Sequence, residues 1–227
     1  MWIVDNNTPV LERILEFNNY TDRKNADIPK NVSSYDFSTL YTKITHTHLK
    51  QQMKWILRKA FNRKKCMYVN VYHATWYKLN DAIELTKQKL FEHICFLIDN
   101  IYITVGNHIL RQVIGIPMGT DCAPYLANVY LYSLEFDFLE KAPIHLARKF
   151  SNSYRYIDDL LSFNNNNLIN QLKHRIYPTE LILNKENKSN NHTSFLDINI
   201  TIQNNKILTK LYDKRNDFKF TINSFHT

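Results

Sequence analysis

The sequence predicts an α+β fold in which an antiparallel sheet is backed by helices. Two observations predict it. Strands are supplied by β-like runs at residues 32–37, 195–202 and 207–212, and by an apolar run, Ser153 to Phe163, interrupted at Asp158-Asp159. Apolar stripes at helical spacing stand between them, over roughly 46–61, 86–100 and 121–141. With 227 residues, the chain is long enough to bury a substantial core as one large domain or two interleaved subdomains.

In chain order, Asn31–Phe37 reads as a strand and 46–61 as a helix. Residues 67–78 are aromatic-rich and predicted extended. Thr86 can cap a helix running to about Asn100, with Leu90, Ile94, Leu97 and Ile98 on its inner stripe. Ile101–Val105, Gly106-Asn107 and His108–Val113 form a hairpin with a two-residue turn. A long helix follows over 121–141, then strand, turn and strand around the aspartate pair. The Asn164–Asn167 run is a loop entering a helix over 165–176, because Asn caps helices and Leu168, Ile169 and Leu172 follow at helical spacing. The last two strands join through Asn204-Asn205.

Composition narrows the class. Apolar residues make up 44% and aromatics 13%, which argues for a folded globule. No apolar stretch reaches the ~18 residues of a membrane helix, and the first residues show no secretion signal. Cys66, Cys95 and Cys122 are far apart and form no Cys-x-x-Cys, so a reducing compartment is the default. His46-x-His48 has no third ligand nearby and reads as two solvated residues at a helix start. The net charge of +8 suits a polyanion partner. Its densest cluster runs from Lys50 to Lys65, with Lys50, Lys54 and Arg58 at i, i+4 and i+8 on one helix face; an ordinary solvated face explains the cluster equally well.

Chemistry concentrates at two places. Two adjacent carboxylates at a strand-to-strand turn repel each other, and a divalent cation offsets that repulsion best. Asp36 ends a second β-like run, so two strand-borne carboxylate sites could converge as two-metal phosphoryl transfer requires. The chain has three glycines, and two of them, Gly115 and Gly119, stand in Ile114-Gly115-Ile116-Pro117-Met118-Gly119-Thr120. That concentration implies positive φ or a close backbone approach.

These segments stand in a recognisable order. Ser34-Tyr35-Asp36-Phe37-Ser38-Thr39-Leu40-Tyr41-Thr42 resembles motif A of reverse transcriptases. Residues 115–128 resemble motif B, Tyr156-Ile157-Asp158-Asp159 resembles the Tyr-x-Asp-Asp of motif C, and Phe195-Leu196-Asp197-Ile198 resembles the primer-grip hairpin. The wording of Asp36–Thr42, Gly115–Pro124, Arg155–Asp159 and Leu211–Phe218 is similar to that of Penelope-like retroelements. The resemblance covers roughly residues 30–222 and implies a right-hand polymerase palm carrying out RNA-directed DNA synthesis, with an RNA template, a DNA primer and dNTPs as partners. It also implies two Mg²⁺ ions, replaceable by Mn²⁺, on Asp36, Asp158, Asp159 and the Phe37 carbonyl. Tyr41 is then a steric gate against ribose; Pro117, Met118 and Gly119 line the nucleotide pocket, with Met118 where many relatives carry Gln. Tyr156 and Ile157 lie near the primer terminus and incoming sugar, Phe195 and Leu196 support the primer, and Lys185 can protonate pyrophosphate. Lys54 and Arg58 are the expected primer–template contacts on the basic face.

The same resemblance predicts a palm over 31–227 with a partial fingers insertion at about 62–112, residues 1–30 as a remnant lead-in, and no room for a thumb or for the endonuclease domain common in that family. Two readings stay open: an active polymerase core of an integrating element, or an inactive remnant that still binds nucleic acid. An RNA-dependent RNA polymerase is disfavoured by the aromatic Tyr41 and by Tyr156 ahead of Ile157-Asp158-Asp159. Oligomeric state is not legible; an intracellular, nuclear location is an expectation from the family alone.

Overall fold

The computed structural model describes residues 2–19, 29–116, 118–165, 167–187 and 189–213. Pro117, Lys188 and positions 214–218 of the Leu211–Phe218 phrase lie outside the described residues. The elements begin β1 (Trp2–Ile3), α1 (Thr8–Asn19), β2 (Val32–Phe37), α2 (Leu40–Lys43) and α3 (His46–Phe61). They continue through β3 (Cys66–Val69), β4 (Ala74–Thr75), β5 (Ile83–Thr86), α4 (Lys87–Asp99), β6 (Tyr102–Val105), β7 (His108–Arg111) and α5 (Ala123–Lys141). The remainder is α6 (Ile144–Ala147), β8 (Ser153–Tyr156), β9 (Asp159–Phe163), α7 (Leu168–Ile176), β10 (Leu183–Lys185), β11 (His192–Phe195), β12 (Ile198–Gln203) and β13 (Lys206–Leu211). No helix among the described residues is long and apolar enough to cross a membrane. The chain divides into two compact units, Met1–Asp36 with Pro143–Leu172 and Leu183–Thr227, and Phe37–Ala142 with Lys173–Ile182.

The first unit is built on a five-stranded sheet in the order β1-β8-β9-β2-β10. It is mixed and not purely antiparallel, because the two-residue β1 pairs with β8 in parallel through Trp2↔Tyr154 and Ile3↔Arg155. One face of β2 and β9 carries Val32, Leu161 and Phe163, all buried in a single cluster with Val10, Ile14 and Phe17 of α1 and with Ile198, Ile200 and Ile207. α1 was not foreseen in the lead-in. It starts where Asn6 Oδ1 accepts the Thr8 N–H at 2.8 Å, with Pro9 in the first turn, where its missing N–H costs little. The run 195–202, expected as one strand, is split by a turn at Leu196-Asp197, both at positive φ (41° and 63°). Asp tolerates that conformation, but Leu gives no signal for it. The expected Asn204-Asn205 turn joins β12 to β13, with both residues at positive φ.

In the second unit α3 packs against α4 and α5, burying Leu49, Met53, Leu57 and Phe61 at a strict four-residue interval. The predicted Thr86 cap is present, its Oγ1 accepting from Lys89 N–H (3.2 Å), and Thr45 Oγ1 likewise accepts from His48 N–H (3.3 Å) at the start of α3. Residues 67–78 are not continuously extended. Asn70 Oδ1 accepts the N–H groups of Tyr72 and His73 at 3.0 and 2.8 Å, turning the chain so that β3 pairs with both β4 and β5. The β6–β7 hairpin turns at Gly106 (φ 60°), as expected.

Gly115 meets both demands inferred for it. Its φ is 84°, and a Cβ there would stand 2.3 Å from the Tyr41 carbonyl oxygen. That closeness lets Gly115 N–H donate to the Ile44 carbonyl at 2.7 Å and Ile116 N–H to that of Tyr41 at 2.8 Å. The loop after β7 is thereby fixed on α2 and the segment that follows it. Gly115→Ala is expected to lower the unfolding free energy by well over ~1 kcal/mol, whereas Gly106→Ala, whose Cβ would meet open space, should cost only about 1–2 kcal/mol from its φ. Urea unfolding of both variants checks this; an equal loss would show that the Tyr41 approach contributes nothing.

Candidate active site

The carboxylates are placed by one strand register. β2 and β9 run antiparallel with Asp36 directly opposite Asp159, so their side chains project from the same face, where cross-strand Cβ atoms are ~4.5–5.5 Å apart. Asp158 occupies the turn between β8 and β9, closed by the Tyr156↔Asp159 pair. The aspartate pair is therefore divided, with one residue in the turn and one on the strand. Like charges facing each other cost roughly 0.2–1 kcal/mol, whereas each buried large apolar side chain contributes about 1.5–3 kcal/mol. The burial of Val32, Leu161 and Phe163 further along the same face outweighs the repulsion and holds the acids together.

The electrostatics show the strain. The Asp36 carboxyl is raised above the ordinary carboxylate range, by partial burial first and then by the negative charges of Asp158 and Glu186. Ile157, at the first turn position, has φ 49°, a conformation that a β-branched residue adopts only under constraint. Its carbonyl accepts from Arg155 Nη1 at 3.0 Å, and Arg155 is completely buried. That face of the sheet also buries Ser33, Ser153 and Ser162, the last two with hydroxyls 2.7 Å apart. Arg155 and Glu186 are site residues that sequence reasoning missed. A buried charge in an apolar strand was the available signal for Arg155. Glu186 becomes a neighbour through the β2 edge, where its N–H donates to the Ser34 carbonyl at 3.0 Å.

The remaining expected residues of this unit fall into two groups. Tyr156 and Leu196 are half-buried against the core cluster, and Phe195 is a buried member of it. All three also line a cavity of about 860 Å³ together with Asp159 and Glu186. Ile157 is half-buried. Lys185 is exposed on β10, with its ammonium donating to Asn190 Oδ1 at 3.2 Å.

In the second unit Tyr41, Met118 and Gly119 come together around a cavity of about 720 Å³, with Thr120, Asp121 and Tyr125. Gly119 has φ 95° with open space where a Cβ would stand, and Met118 is exposed. Phe37 is buried, edge-on to Tyr177 at 4.8 Å. The basic face of α3 is not a uniform cationic surface. Lys50 is paired with Asp99 at 2.5 Å and Lys59 with Glu140 at 2.8 Å, while Lys54 lies over the Phe91 ring and Arg58 is exposed. His46 and His48 are half-buried rather than merely solvated: His46 Nε2 lies 2.9 Å from the Gly115 carbonyl oxygen, and His48 Nδ1 2.9 Å from the Tyr130 hydroxyl.

The donor set of Asp36, Asp158 and Asp159 suits Mg²⁺, which takes oxygen ligands, and the repulsion at Asp36 is what a divalent cation relieves. Among the described residues no three His, Cys, Asp or Glu side chains are already gathered as a ligand cluster.

No protein-family model matches the sequence, and no curated protein matches it. Solved telomerase structures do match the fold. Telomerase from Candida albicans in complex with a fragment of telomeric RNA aligns with a TM-score of 0.64 and 18% identity over 90% of this chain and 35% of that one. Apo telomerase from Candida tropicalis aligns with a TM-score of 0.60 and 20% identity over 90% of this chain and 36% of that one. A form of it truncated from the C-terminal domain gives 0.59 and 19% over 92% and 41%. The chain thus shares the α+β fold of these telomerase structures and spans well under half the length of these proteins.

The sign of the Asp36 perturbation fixes a pH dependence. A carboxyl raised in the folded state binds protons more readily there than when unfolded, so stability falls as pH rises from the ordinary carboxylate range through the raised value. In divalent-free buffer Asp36→Asn should therefore melt higher than the wild type at pH 7, with the gain vanishing below the ordinary carboxylate range. Melting curves across pH test this; a variant that melts lower at pH 7 contradicts the electrostatic reading.

Proposed function

We propose that this chain is the catalytic palm of a reverse transcriptase, related in its motif wording to Penelope-like retroelements, which extends a DNA primer on an RNA template. The single observation that carries the reading is the register pairing Asp36 with Asp159, with Asp158 at a strained turn beside them, in a fold shared with telomerases. Asp36, Asp158 and Asp159, with the Phe37 carbonyl, would hold two Mg²⁺ ions, or Mn²⁺ in their place. When bound, these ions activate the primer 3′-hydroxyl and neutralise the triphosphate and departing pyrophosphate.

The chain's own residues supply the positioning. Tyr41 bounds the sugar side of the cavity it shares with Met118 and Gly119, and its ring excludes a ribose 2′-hydroxyl. Tyr156 and Ile157 orient the primer terminus. Phe195 and Leu196, on the β11–β12 hairpin, support the primer strand through a backbone made rigid by the Asn7 side-chain amide, which donates to the Leu196 carbonyl at 3.0 Å. Lys185 delivers a proton to pyrophosphate after leaving Asn190. The RNA carried by one of the telomerase structures supports a nucleic-acid partner, and the basic surplus supports it independently.

A non-catalytic nucleic-acid-binding reading is favoured by one observation, that the carboxylates are not gathered into a ligand cluster. Primer extension on an RNA template with dNTPs and Mg²⁺ decides between the two. The polymerase reading predicts extension by the wild type and its loss, by at least ~10³-fold, in a folded Asp158→Asn protein, as expected when electrostatic stabilisation of the transition state is removed. Equal extension by both proteins would end the carboxylate assignment. A folded wild type that binds primer–template and extends nothing would select the non-catalytic reading.

A further inference from the structure

The second unit contains a groove in which Lys54 and Arg58, the primer–template contacts expected of the polymerase reading, form only part of one wall. It has a volume of about 630 Å³ and is walled by Lys54, Trp55 and Arg58 of α3, Asp137 and Phe138 of α5, and His174 and Arg175 at the end of α7. Its floor is a closed polar network. Ser133 Oγ, which lies 2.6 Å from the Tyr130 carbonyl oxygen, is also 3.0 Å from Gln52 Oε1, and Gln52 Nε2 lies 3.0 Å from His48 Nε2. His48 Nδ1 lies 2.9 Å from the Tyr130 hydroxyl. With both ring nitrogens of His48 engaged, the floor offers a ligand little, and recognition falls to the walls.

The walls are cationic without compensation. Lys54, Arg58 and Arg175 are exposed, and among the described residues no carboxylate pairs with any of them. The acids nearby are already engaged. Asp137 is bound by Lys141 at 2.7 Å, Glu140 by Lys59 at 2.8 Å, and the buried Glu135 accepts from the Tyr177 hydroxyl at 2.9 Å. Lys54 and Arg58 stand one turn apart on α3, about 6 Å along its axis. Aromatic surface lies among these charges: Trp55 is half-buried on the groove wall, and the Arg175 guanidinium sits 6.0 Å from the Phe138 ring centroid. Guanidinium forks matched to phosphate oxygens, interleaved with an aromatic face on which a base can stack, are the recognition chemistry of single-stranded nucleic acid. An acidic peptide would use the charges and leave the aromatic face idle.

We propose that this groove is a nucleic-acid site in its own right, taking a single-stranded stretch with its phosphates on Lys54, Arg58 and Arg175 and a base on Trp55. The site requires no polymerase chemistry, so it stands or falls separately from the catalytic reading. RNA and DNA single strands share this chemistry, and the experiment distinguishes them.

Fluorescence anisotropy of the full chain with labelled oligo-uridine and oligo-thymidine, in EDTA and without nucleotides, measures binding when catalysis is switched off. Arg58→Glu with Arg175→Glu should weaken binding at least tenfold and reduce the slope of log K against log salt by about 1.4, the value for two lost phosphate contacts on a single strand. Trp55→Leu should weaken binding with the slope unchanged, and 5-iodouracil oligomers should crosslink to the α3 peptide containing Trp55. Lys206→Glu with Lys210→Glu, on β13 of the other unit, should bind as the wild type does. The ratio of the two wild-type affinities names the strand. A correctly folded Arg58/Arg175 variant binding within twofold of the wild type would overturn the proposal. So would absence of wild-type binding, or competition by poly-glutamate as effective as that by unlabelled oligomer.

Discussion

The candidate site depends on one constraint, the register of β2 against β9. Side chains alternate along a strand, so a slip of one residue would send Asp36 to the opposite face from Asp159 and turn Val32 out of its core cluster. The core prevents the slip. Val32 lies opposite Phe163 and Ser34 opposite Leu161, and Val32, Leu161 and Phe163 are buried among α1 and the β11–β13 sheet. The outer edge of β2 is fixed as well, by Asn187: its Oδ1 accepts from Ser34 N–H at 3.2 Å and its Nδ2 donates to the Val32 carbonyl at 3.1 Å. Burial enforces a pairing of like charges that the isolated strands would avoid, and the raised carboxyl of Asp36 is its electrostatic trace.

The turn beside that pair repeats the logic on the backbone. A two-residue connection between β8 and β9 needs positive φ, and the sequence places a β-branched isoleucine there. A turn chosen for stability would carry glycine or asparagine. Asn204-Asn205, between β12 and β13, has such residues. Around Ile157 the strain is offset by the buried Arg155, whose guanidinium holds the turn carbonyl.

Much of this was legible in the sequence because it rests on local patterns. The helices at 46–61, 86–100 and 121–141, the Gly106 hairpin and the Asn204-Asn205 turn follow from periodicity, capping and turn chemistry, and each is present. The special status of Gly115 could be inferred from scarcity alone, and the Tyr41 carbonyl oxygen, which would stand 2.3 Å from a Cβ at that position, explains it. What escaped depends on contacts between distant segments. The two-residue β1 gains its strand character only by pairing with β8, and Glu186 becomes a site residue only across the β2 edge. The split at Leu196-Asp197 is imposed by β11 folding back on β12. α1 was a different kind of miss, because Val10, Ile14 and Phe17 mark its inner face in plain sequence. The i, i+4, i+8 cations showed a face without its partners, and only the fold reveals that Lys50 is taken by Asp99 while Arg58 stays exposed.

The central claim is that Asp36, Asp158 and Asp159 form one electrostatic unit built to receive divalent cations. Titration of the nucleic-acid-free protein with Mn²⁺, followed by the loss of the free-ion paramagnetic resonance signal, tests it most directly. The account predicts saturable binding in the wild type that is lost or weakened at least tenfold in Asp36→Asn, with Mg²⁺ competing for the same sites. Saturable binding of equal strength in a folded Asp36→Asn protein would contradict it, since the ion would then be held by residues other than those the strand register brings together.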